Sequence, residues 1–295
     1  MKVVAVIVTY NRMALLQECI AAVQAQNRTP DAIIVINNSS TDGTEQWLQT
    51  QRLTTITQPN QGGAWGFHTG IKKAYDEGAD WVWVMDDDTI PYPETLEALL
   101  VPAAAITGAG FFSSKAVWTD GAPHAMNLPE ISAFVSGYPF NYFDGCGAQL
   151  VKSATFVSCL ISREAIRRVG LPLKEFFIWT DDHEYTDRII RAGLPGFYVS
   201  RSMALHKTPS NHGSDIYKDA AKDIWKYKFG IRNELFYIRN RKGNFKFWRL
   251  VLKRLFVFPF RILKKRKEAK WLMIKTLWSA TFSAISFHPK PDQVS

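Results

Sequence analysis

The chain has 295 residues, of which 46% are hydrophobic and 13% aromatic, so it can bury a sizeable core and is not globally disordered. Its three cysteines, Cys19, Cys146 and Cys159, are an odd number without a CxxC spacing, which excludes a disulfide scaffold or a cysteine zinc cluster and fits a reducing compartment. The apolar run at the start is too short for a signal peptide, and no stretch reaches the roughly 20 apolar residues of a membrane span, so we expect neither.

The first hundred residues predict strands that alternate with helices. Residues 3–8 and 32–36 are continuous apolar runs rich in β-branched side chains, as in strands buried on both faces. Between them, residues 13–26 place apolar side chains at helical spacing. The pattern repeats with helices predicted at 44–51 and 71–77 and strands at 53–57 and 81–85. Such alternation predicts an α/β fold with a parallel sheet.

Periodicity weakens in residues 101–150, where glycine and aromatic residues are mixed. Further on, the sequence predicts helices at 163–169 and 183–192 and a last strand at 196–201. From about residue 215, helices rich in Trp, Phe, Lys and Arg are predicted. We therefore divide the chain into an α/β domain, residues 1–212, and a helical region, residues 213–295.

The net charge of +9 conceals an asymmetry along the chain. Residues 222–275 hold 18 Lys and Arg against three acids, a local charge of +15, so the remainder carries −6. The basic character belongs to the C-terminal part, which indicates an anionic partner for that part alone. Because Trp and Phe are interleaved with the bases, we expect amphipathic helices on an anionic membrane surface; an ordinary solvated helical hairpin is the alternative.

Asp86, Asp87 and Asp88 directly follow the strand predicted at 81–85. Three adjacent carboxylates are unfavourable unless a cation lies among them. Ligands of open α/β sheets bind beyond the carboxyl ends of strands, and carboxylate oxygens suit Mg²⁺ or Mn²⁺ ions that bridge to substrate phosphates. The triplet therefore predicts a divalent-metal site; a solvated acidic turn that caps the next helix is the alternative.

Three weaker signals follow. Asp181 and Asp182 open a predicted helix, where one carboxylate can cap the N-terminus and the other can act as a general base if it faces the cleft. His206 follows the last predicted strand and is either a satisfied structural histidine or a metal ligand. Glycines in residues 60–66 (NQGGAWG) precede a predicted helix and would let the backbone approach a phosphate, although a plain loop has the same composition.

Together these features resemble the inverting glycosyltransferases of family 2, which have the GT-A fold. Residues 8–12 (VTYNR) are similar to that family's first nucleotide-contacting loop. Residues 38–44 (NSSTDGT) are similar to its DNGSTDGT element, with Asn38 where an Asp is common, and residues 86–88 match its DXD element.

Within the family, the sequence most resembles bacterial galactofuranosyltransferases and rhamnosyltransferases. Residues 60–67 resemble their NxGGSGGF loop, residues 159–185 their CLIPR and FIKWDDADY stretch, and residues 230–240 their RN helix. His206 occupies the place of their metal-binding histidine. The likeness covers roughly residues 1–240. Phe156-Val157 stands where galactofuranan polymerases carry paired tryptophans, which does not favour a polymer-type acceptor platform.

The resemblance implies a single displacement. Asp86, Asp88 and His206 would hold Mn²⁺ or Mg²⁺. Asp182 would take the proton from the acceptor hydroxyl, and Asp181 would orient a substrate. The remaining candidates are contacts to the nucleotide sugar: Thr9, Asn11, Arg12, Asn38, Gly63, Trp65, Asp86 and Asp87.

The resemblance also implies the setting of the reaction. Residues 1–212 would be the GT-A catalytic domain, and residues 213–295 would serve the acceptor side and the membrane. The donor would be UDP-galactofuranose or dTDP-rhamnose, and the acceptor a glycan or a lipid-linked sugar in bacterial cell-surface polysaccharide synthesis. We expect a cytoplasmic protein, peripheral on the inner face of the cell membrane, with no nucleic-acid partner. The sequence does not indicate an oligomeric state.

Two other classes of function stay open. The run MDDDT at a strand end resembles the DxDxT nucleophile of haloacid-dehalogenase-type phosphatases, although here Thr89 follows Asp88 directly. The +15 segment would also fit a nucleic-acid-binding protein. No zinc pattern or recognisable RNP sequence accompanies it, and stretches rich in Trp and Phe suit lipid better.

Overall fold

Nine of the eleven strands form one sheet in the computed structural model, which describes residues 1–295. The strands are β1 (Val3–Thr9), β2 (Ala32–Asn37), β3 (Thr54–Thr57), β4 (Trp81–Asp86), β5 (Thr89–Pro91), β6 (Phe111–Val117), β7 (Phe134–Val135), β8 (Tyr138–Pro139), β9 (Gln149–Val151), β10 (Cys159–Ser162) and β11 (Gly196–His206). Their order in the sheet is β3-β2-β1-β4-β10-β6-β11-β5, with β9 also paired to β11. Strands β7 and β8 form a separate hairpin.

Nine α-helices connect and follow these strands. They are α1 (Met13–Gln24), α2 (Thr44–Gln49), α3 (Gly63–Asp76), α4 (Thr95–Ala105), α5 (Arg163–Val169), α6 (Asp181–Arg191), α7 (Lys226–Leu252), α8 (Phe258–Lys265) and α9 (Lys270–Ser286). A π-helical turn, Lys253–Val257, links α7 to α8. No helix is both long enough and apolar enough to cross a membrane.

The predicted α/β fold is confirmed. Strand β1 is buried along its whole length, as its continuous apolar run predicts, and pairs in parallel with β2 and β4. The sheet is mixed beyond β4, because β10 runs antiparallel to both β4 and β6. Apolar side chains on the two faces of the sheet form two separate clusters, so both faces are covered by other elements.

Three differences from the predicted elements bear on the candidate site. Helix α3 begins at Gly63, so the last glycines of the glycine-rich segment lie in its first turns and not ahead of it. Strand β11 continues past the predicted end at residue 201 to His206. The sequence does not predict the short strand β5, which pairs antiparallel with this extension of β11 and sets His206 opposite Thr89.

The chain divides into two compact units. The first comprises residues 1–174, 182–212 and 291–295, and the second comprises residues 175–181 and 213–290. The second unit has its own apolar core, in which residues of α7, such as Ile231 and Leu235, join residues of α9, such as Leu277. Relative to the division drawn from the sequence, residues 175–181 belong to the helical unit and residues 291–295 to the sheet unit.

Gly66 lets α3 pack directly on β1. A Cβ atom at this position would lie 2.4 Å from Cγ1 of the buried Val8. We expect Gly66→Ala to lower the free energy of unfolding by about 1–3 kcal/mol, because overpacking outweighs the gain of about 1 kcal/mol in helix propensity. Urea unfolding followed by circular dichroism measures the change.

Gly63, three residues earlier in the same helix, is the matched control for this substitution. No atom lies within 4 Å of a Cβ built there. Gly63→Ala should therefore leave the unfolding free energy unchanged or raise it slightly. Equal losses for the two variants would contradict the close approach at Gly66.

Candidate active site

The acidic triplet lies at the carboxyl end of β4, the strand between β1 and β10. Asp86 is the last residue of β4, half-buried and in register with Val8 of β1. Asp87 and Asp88 form the turn into β5, and each is only 3% exposed. Carboxylates buried this deeply need partners, because desolvation disfavours their charged form.

Arg12, in the loop after β1, brings a positive charge to the triplet. Its Nη1 atom lies 2.5 Å from Asp88 Oδ2 and 3.3 Å from Asp87 Oδ1. Thr9 Oγ1 donates to Asp87 Oδ2 at 2.7 Å. The structure therefore engages Thr9 and Arg12, both expected to contact the nucleotide, with carboxylates of the protein. The positive charge of Arg12 therefore offsets part of the repulsion among the three carboxylates, from which the sequence predicts a metal ion.

Burial and the neighbouring positive charge have opposite effects on the pKa values of Asp87 and Asp88. Burial raises the pKa of Asp87 to about 6, although the charge of Arg12 lowers it. Burial raises the pKa of Asp88 as well, but His206 in its protonated form and the charge of Arg12 outweigh burial and hold that pKa below its ordinary value. Asp88 is thus an ionised, buried carboxylate at neutral pH, which suits it to binding a cation.

His206 meets Asp88 because β11 pairs with β5. His206 lies opposite Thr89, the residue after Asp88, and the Lys207 N–H donates to the Asp88 carbonyl at 2.8 Å. His206 Nε2 lies 3.3 Å from Asp88 Oδ1. Asp88 Oδ1 is buried and makes no hydrogen bond. Asp88 Oδ1 and His206 Nε2 are therefore neighbours that are not hydrogen-bonded to each other.

Asn127 determines which nitrogen of His206 carries the proton. The Asn127 Nδ2 amide donates to Thr155 Oγ1 at 2.7 Å, which assigns Oδ1 to the side that faces His206. His206 Nδ1 is 2.8 Å from this Oδ1 and must be the donor. In the neutral imidazole, Nε2 then keeps its lone pair and presents it toward Asp88, the arrangement typical of metal-binding histidines.

The Asp88–His206 pair could hold a divalent cation if a substrate supplied the remaining ligands. Neighbouring ligands of an octahedral ion with bonds of about 2.1 Å are separated by about 3 Å, close to the observed distance between Oδ1 and Nε2. No three His, Cys, Asp or Glu side chains come together as a complete metal site. Mg²⁺ is usually held by one or two carboxylates together with substrate phosphates, so a two-ligand site is sufficient for that role.

A second histidine, His124, lies beside His206 with the ring centroids 4.4 Å apart. Its Nδ1 accepts the Met126 N–H, so Nε2 is the donor to Thr208 Oγ1 at 2.7 Å. Burial and the neighbouring His206 lower the pKa of His124 to about 4, so the ring is neutral at neutral pH. The sequence does not point to His124 or Asn127, because both lie in the segment without periodicity.

The loops after β1 and β2 meet at the same edge of the sheet. Asn11 has a left-handed φ of 53°, and its Oδ1 accepts the Thr41 N–H at 2.7 Å. Asn38 is buried, with Oδ1 accepting from Gln58 Nε2 at 2.9 Å and Nδ2 donating to the Gly62 carbonyl. The side-chain amide of Asn38 thus ties its loop to the segment that leads into α3.

Helix α3 carries two further candidates near its start. The backbone at Gly63 is open, since no atom lies within 4 Å of a Cβ position there. Trp65 is half-buried, and the Lys174 ammonium lies 5.3 Å from its ring centroid. These two positions stay candidates for contact with the nucleotide sugar.

Asp181 and Asp182 are the first two residues of α6. Asp181 is buried and Asp182 half-buried. Asp182 Oδ1 accepts the N–H of the next residue, His183, at 2.7 Å, which stabilises the exposed start of the helix. Burial and then the charge of Asp182 raise the pKa of Cys159. Cys159 pairs with Val84, two residues before Asp86.

The three residues Phe177, Trp179 and Thr180 in the segment ahead of Asp181 have left-handed backbones, with φ of 68°, 65° and 73°. Such conformations cost side-chain-bearing residues about 1–3 kcal/mol each, and β-branched residues such as Thr180 adopt them least readily. Backbone strain persists only where surrounding contacts hold it. This segment directly precedes Asp181 and Asp182 in the chain.

Comparison with known proteins agrees with this geometry. The family model "Glycosyl transferase family 2" matches residues 4–170. The chain is 30% identical over 225 residues to galactofuranosyltransferase GlfT1 of Mycolicibacterium smegmatis, covering 73% of each protein. It is 27% identical to N-acetylglucosaminyl-diphospho-decaprenol L-rhamnosyltransferase of Mycobacterium tuberculosis, covering 71% of this chain and 77% of that protein.

Solved structures with the same fold include two at low sequence identity. The S. aureus TarS fragment 1–349 in complex with UDP superposes with a TM-score of 0.60 at 14% identity, over 97% of this chain and 81% of that one. Mannosyltransferase PcManGT from Pyrobaculum calidifontis, in complex with GDP-Man and Mn²⁺, superposes with a TM-score of 0.54 at 17% identity, over 97% of this chain and 76% of that one. These likenesses confirm the GT-A fold, and the family match together with the 30% identical relative establishes that the chain belongs to glycosyl transferase family 2.

Proposed function

We propose that this glycosyltransferase moves galactofuranose, with rhamnose as the second candidate, from a nucleotide sugar to a glycan or lipid-linked acceptor of bacterial cell-surface polysaccharide. The observation that carries the proposal is the Asp88–His206 pair at the carboxyl end of the sheet, oriented for a cation that bridges to a diphosphate. The activities named for two similar proteins support the two donor sugars. Family membership favours a transferase over the phosphohydrolase interpretation. The nucleic-acid-binding interpretation concerns residues 222–275, which lie outside the matched residues 4–170.

The reaction would be a single, inverting displacement. The acceptor oxygen attacks the anomeric carbon, the bond from that carbon to the diphosphate oxygen breaks, and the hydroxyl proton passes to Asp182. Asp88 and His206 would hold Mn²⁺ or Mg²⁺, which when bound would supply positive charge against the departing diphosphate. Asp86, the third ligand that the resemblance implies, forms no three-residue cluster with them and would contact the nucleotide sugar. Arg12 adds a fixed positive charge beside the same carboxylates. Much of the rate would come from positioning two substrates in one site.

A panel of nucleotide sugars tests the donor assignment. Purified protein is incubated with each donor and Mn²⁺, and release of the nucleoside diphosphate is followed. We expect UDP-galactofuranose to be consumed fastest and dTDP-rhamnose next. A generic phosphate ester serves as the control, from which a transferase should release almost no phosphate. Faster consumption of a pyranose donor such as UDP-glucose would contradict the sugar proposed.

The second unit presents large apolar side chains to solvent. Phe245, Trp248, Leu252 and Phe256 recur at helical spacing and are all exposed. With Val257 they line a groove of about 540 Å³. We name these five residues the apolar helical face. Solvated apolar side chains at this density are typical of surfaces that contact a partner or a membrane.

Two bases, Arg249 and Lys253, line the groove together with this face, but not every base of the +15 segment is available. Four arginines of the +15 segment donate to backbone carbonyls inside the second unit: Arg232, Arg239, Arg254 and Arg266. At most 14 of its 18 bases are left to interact with a surface. Each base near an anionic bilayer contributes about 1 kcal/mol, so the remainder still supports peripheral attachment to the inner face of the cell membrane.

Removing apolar side chains from this region should weaken membrane binding. We expect Phe256→Ser with Phe260→Ser to reduce affinity for vesicles containing phosphatidylglycerol by about tenfold or more, because each exposed phenyl ring would otherwise leave water. Vesicle co-sedimentation measures the affinity. Higher salt should also weaken binding of the unaltered protein, as the surface potential is screened.

Phe134→Ser is the matched control, since Phe134 is 66% exposed but lies in the first unit. It should bind vesicles as the unaltered protein does. Point substitutions are preferable to truncation after residue 242, because truncation would remove α9 and with it the core partners of Ile231 and Leu235. Equal vesicle binding by all variants would place the membrane contact elsewhere.

A further inference from the structure

Asn233 of α7 directs its whole side chain at one short segment. It is fully buried, and its Nδ2 lies 2.9, 3.1 and 2.9 Å from the carbonyl oxygens of Phe176, Ile178 and Trp179. Its two amide hydrogens are therefore shared among three acceptors. Its Oδ1 accepts from Arg232 Nε at 3.1 Å and Nη2 at 3.0 Å. An amide with every donor and acceptor engaged in this way has one fixed orientation.

Arg232 binds the beginning of the same segment. Its Nη2 donates to the Glu175 carbonyl at 2.6 Å, and its guanidinium lies 3.8 Å from the ring centroid of Phe287. Burial lowers the pKa of Arg232 to about 10, which still leaves it charged at neutral pH. A half-buried arginine that donates to carbonyls of one loop, and also orients the asparagine beside it, holds that loop from two positions.

The same face of α7 also receives the Trp179 ring. A Cβ atom at Gly230 would lie 2.5 Å from Trp179 Cε3, so only glycine leaves room for the ring. The Tyr227 ring packs edge-on against it at 5.2 Å. Tyr227, Gly230 and Asn233 follow one another at intervals of three residues. This part of α7 is therefore shaped to seat residues 175–179.

We infer that Asn233 is a positioning residue for the transfer reaction: it holds residues 176–179 so that Asp181 and the start of α6 keep the geometry the reaction needs. This inference rests on the proposed function only for its kinetic consequence. The left-handed residues Phe177, Trp179 and Thr180 lie in or beside the segment that Asn233 binds. The three contacts from the buried Asn233 amide stabilise a backbone conformation of residues 176–179 that is otherwise unfavourable.

Hydrogen–deuterium exchange of the full chain tests the contact without any assay of activity. Asn233→Asp keeps the shape of the side chain but has no hydrogen to donate. We expect peptides covering residues 174–185 to exchange about tenfold faster or more, with the rest of α7 and α9 close to the unaltered protein. Asn244→Asp, exposed just beyond the kink of α7 at Gly243, is the control. Unchanged exchange in residues 174–185, or an equal rise throughout both helices, would overturn the inference.

Kinetics then separate positioning from general stability. We expect Asn233→Asp to lower kcat by about 10²-fold, as for small misplacements of reacting groups, with the donor KM within about twofold. Adding Thr180→Gly should recover about tenfold, because glycine adopts a positive φ without steric cost. A variant that is merely unstable would not recover, so no recovery would overturn the inference.

A milder variant covers the case in which Asn233→Asp does not fold. Arg232→Gln loses the donors to the Glu175 carbonyl and to Asn233 Oδ1, but it keeps the Asn233 amide that donates to residues 176–179. It should raise exchange in residues 174–185 by a smaller factor, and no rise there would overturn the inference. If the unaltered protein transfers no sugar from any donor, the proposed function fails, while the exchange results still decide whether Asn233 holds the segment.

Discussion

Asp88→Ala should lower sugar transfer by about 10³-fold or more while the protein stays folded. Asp88 is the buried, ionised partner of His206, and a cation held there would stabilise the departing diphosphate by several kcal/mol. The fold should survive, because Arg12 keeps its contact with Asp87. Transfer from the preferred donor and Mn²⁺ binding by calorimetry in the presence of UDP are the two measurements.

Asp87→Asn is the matched control for Asp88→Ala. Asp87 is equally buried, but its oxygens contact Thr9 and Arg12, and it is not among the proposed metal ligands. We expect this variant to retain metal-dependent transfer, at a reduced rate. His206→Ala should weaken the metal dependence less severely than Asp88→Ala. Full activity of the unaltered protein in excess EDTA would show that no divalent ion is required.

Asp182→Asn should lower kcat by about 10²-fold or more, the usual scale for losing a general base. Asparagine is nearly isosteric and can still accept the His183 N–H through its Oδ1, so the start of α6 should be retained. It cannot take the proton from the acceptor hydroxyl. Nucleotide and metal binding should therefore stay near those of the unaltered protein, which calorimetry with UDP and Mn²⁺ can verify.

The neighbouring Asp181→Asn provides the comparison for this variant. Asp181 is the more buried of the two and is proposed to orient a substrate, so its loss should affect KM as well as kcat. If Asp181→Asn is inactive and Asp182→Asn transfers sugar normally, the roles of the two carboxylates must be exchanged.

Local sequence pattern is sufficient to predict the first strands of the sheet and part of the candidate site. The apolar runs that become β1, β2 and β4 are buried on both faces, and such runs mark parallel strands whatever follows them. That pattern places Asp86–Asp88 at the carboxyl end of a strand. It also places Asp181 and Asp182 at the start of a helix, because their carboxylates suit the free N–H groups there.

Contacts between distant parts of the chain were decided by tertiary structure alone. The three-residue strand β5 is too short to show a period, yet its pairing with β11 sets His206 opposite Thr89 and beside Asp88. Asn127, which fixes the tautomer of His206, lies in a segment without periodicity. Arg12 reaches carboxylates 75 and 76 residues further along the chain.

The glycine-rich segment, residues 60–66, and the RN segment, residues 230–240, also show what the sequence predicts and what only the tertiary structure decides. Their composition identifies them from the sequence, but composition does not say which atoms they meet. Gly66 proves to make room for Val8 of β1, and Asn233 to bind three carbonyls some 55 residues earlier in the chain. A repeating pattern records the environment of one element, whereas a partner far away in the chain depends on how all the elements pack, and only the folded structure contains that information.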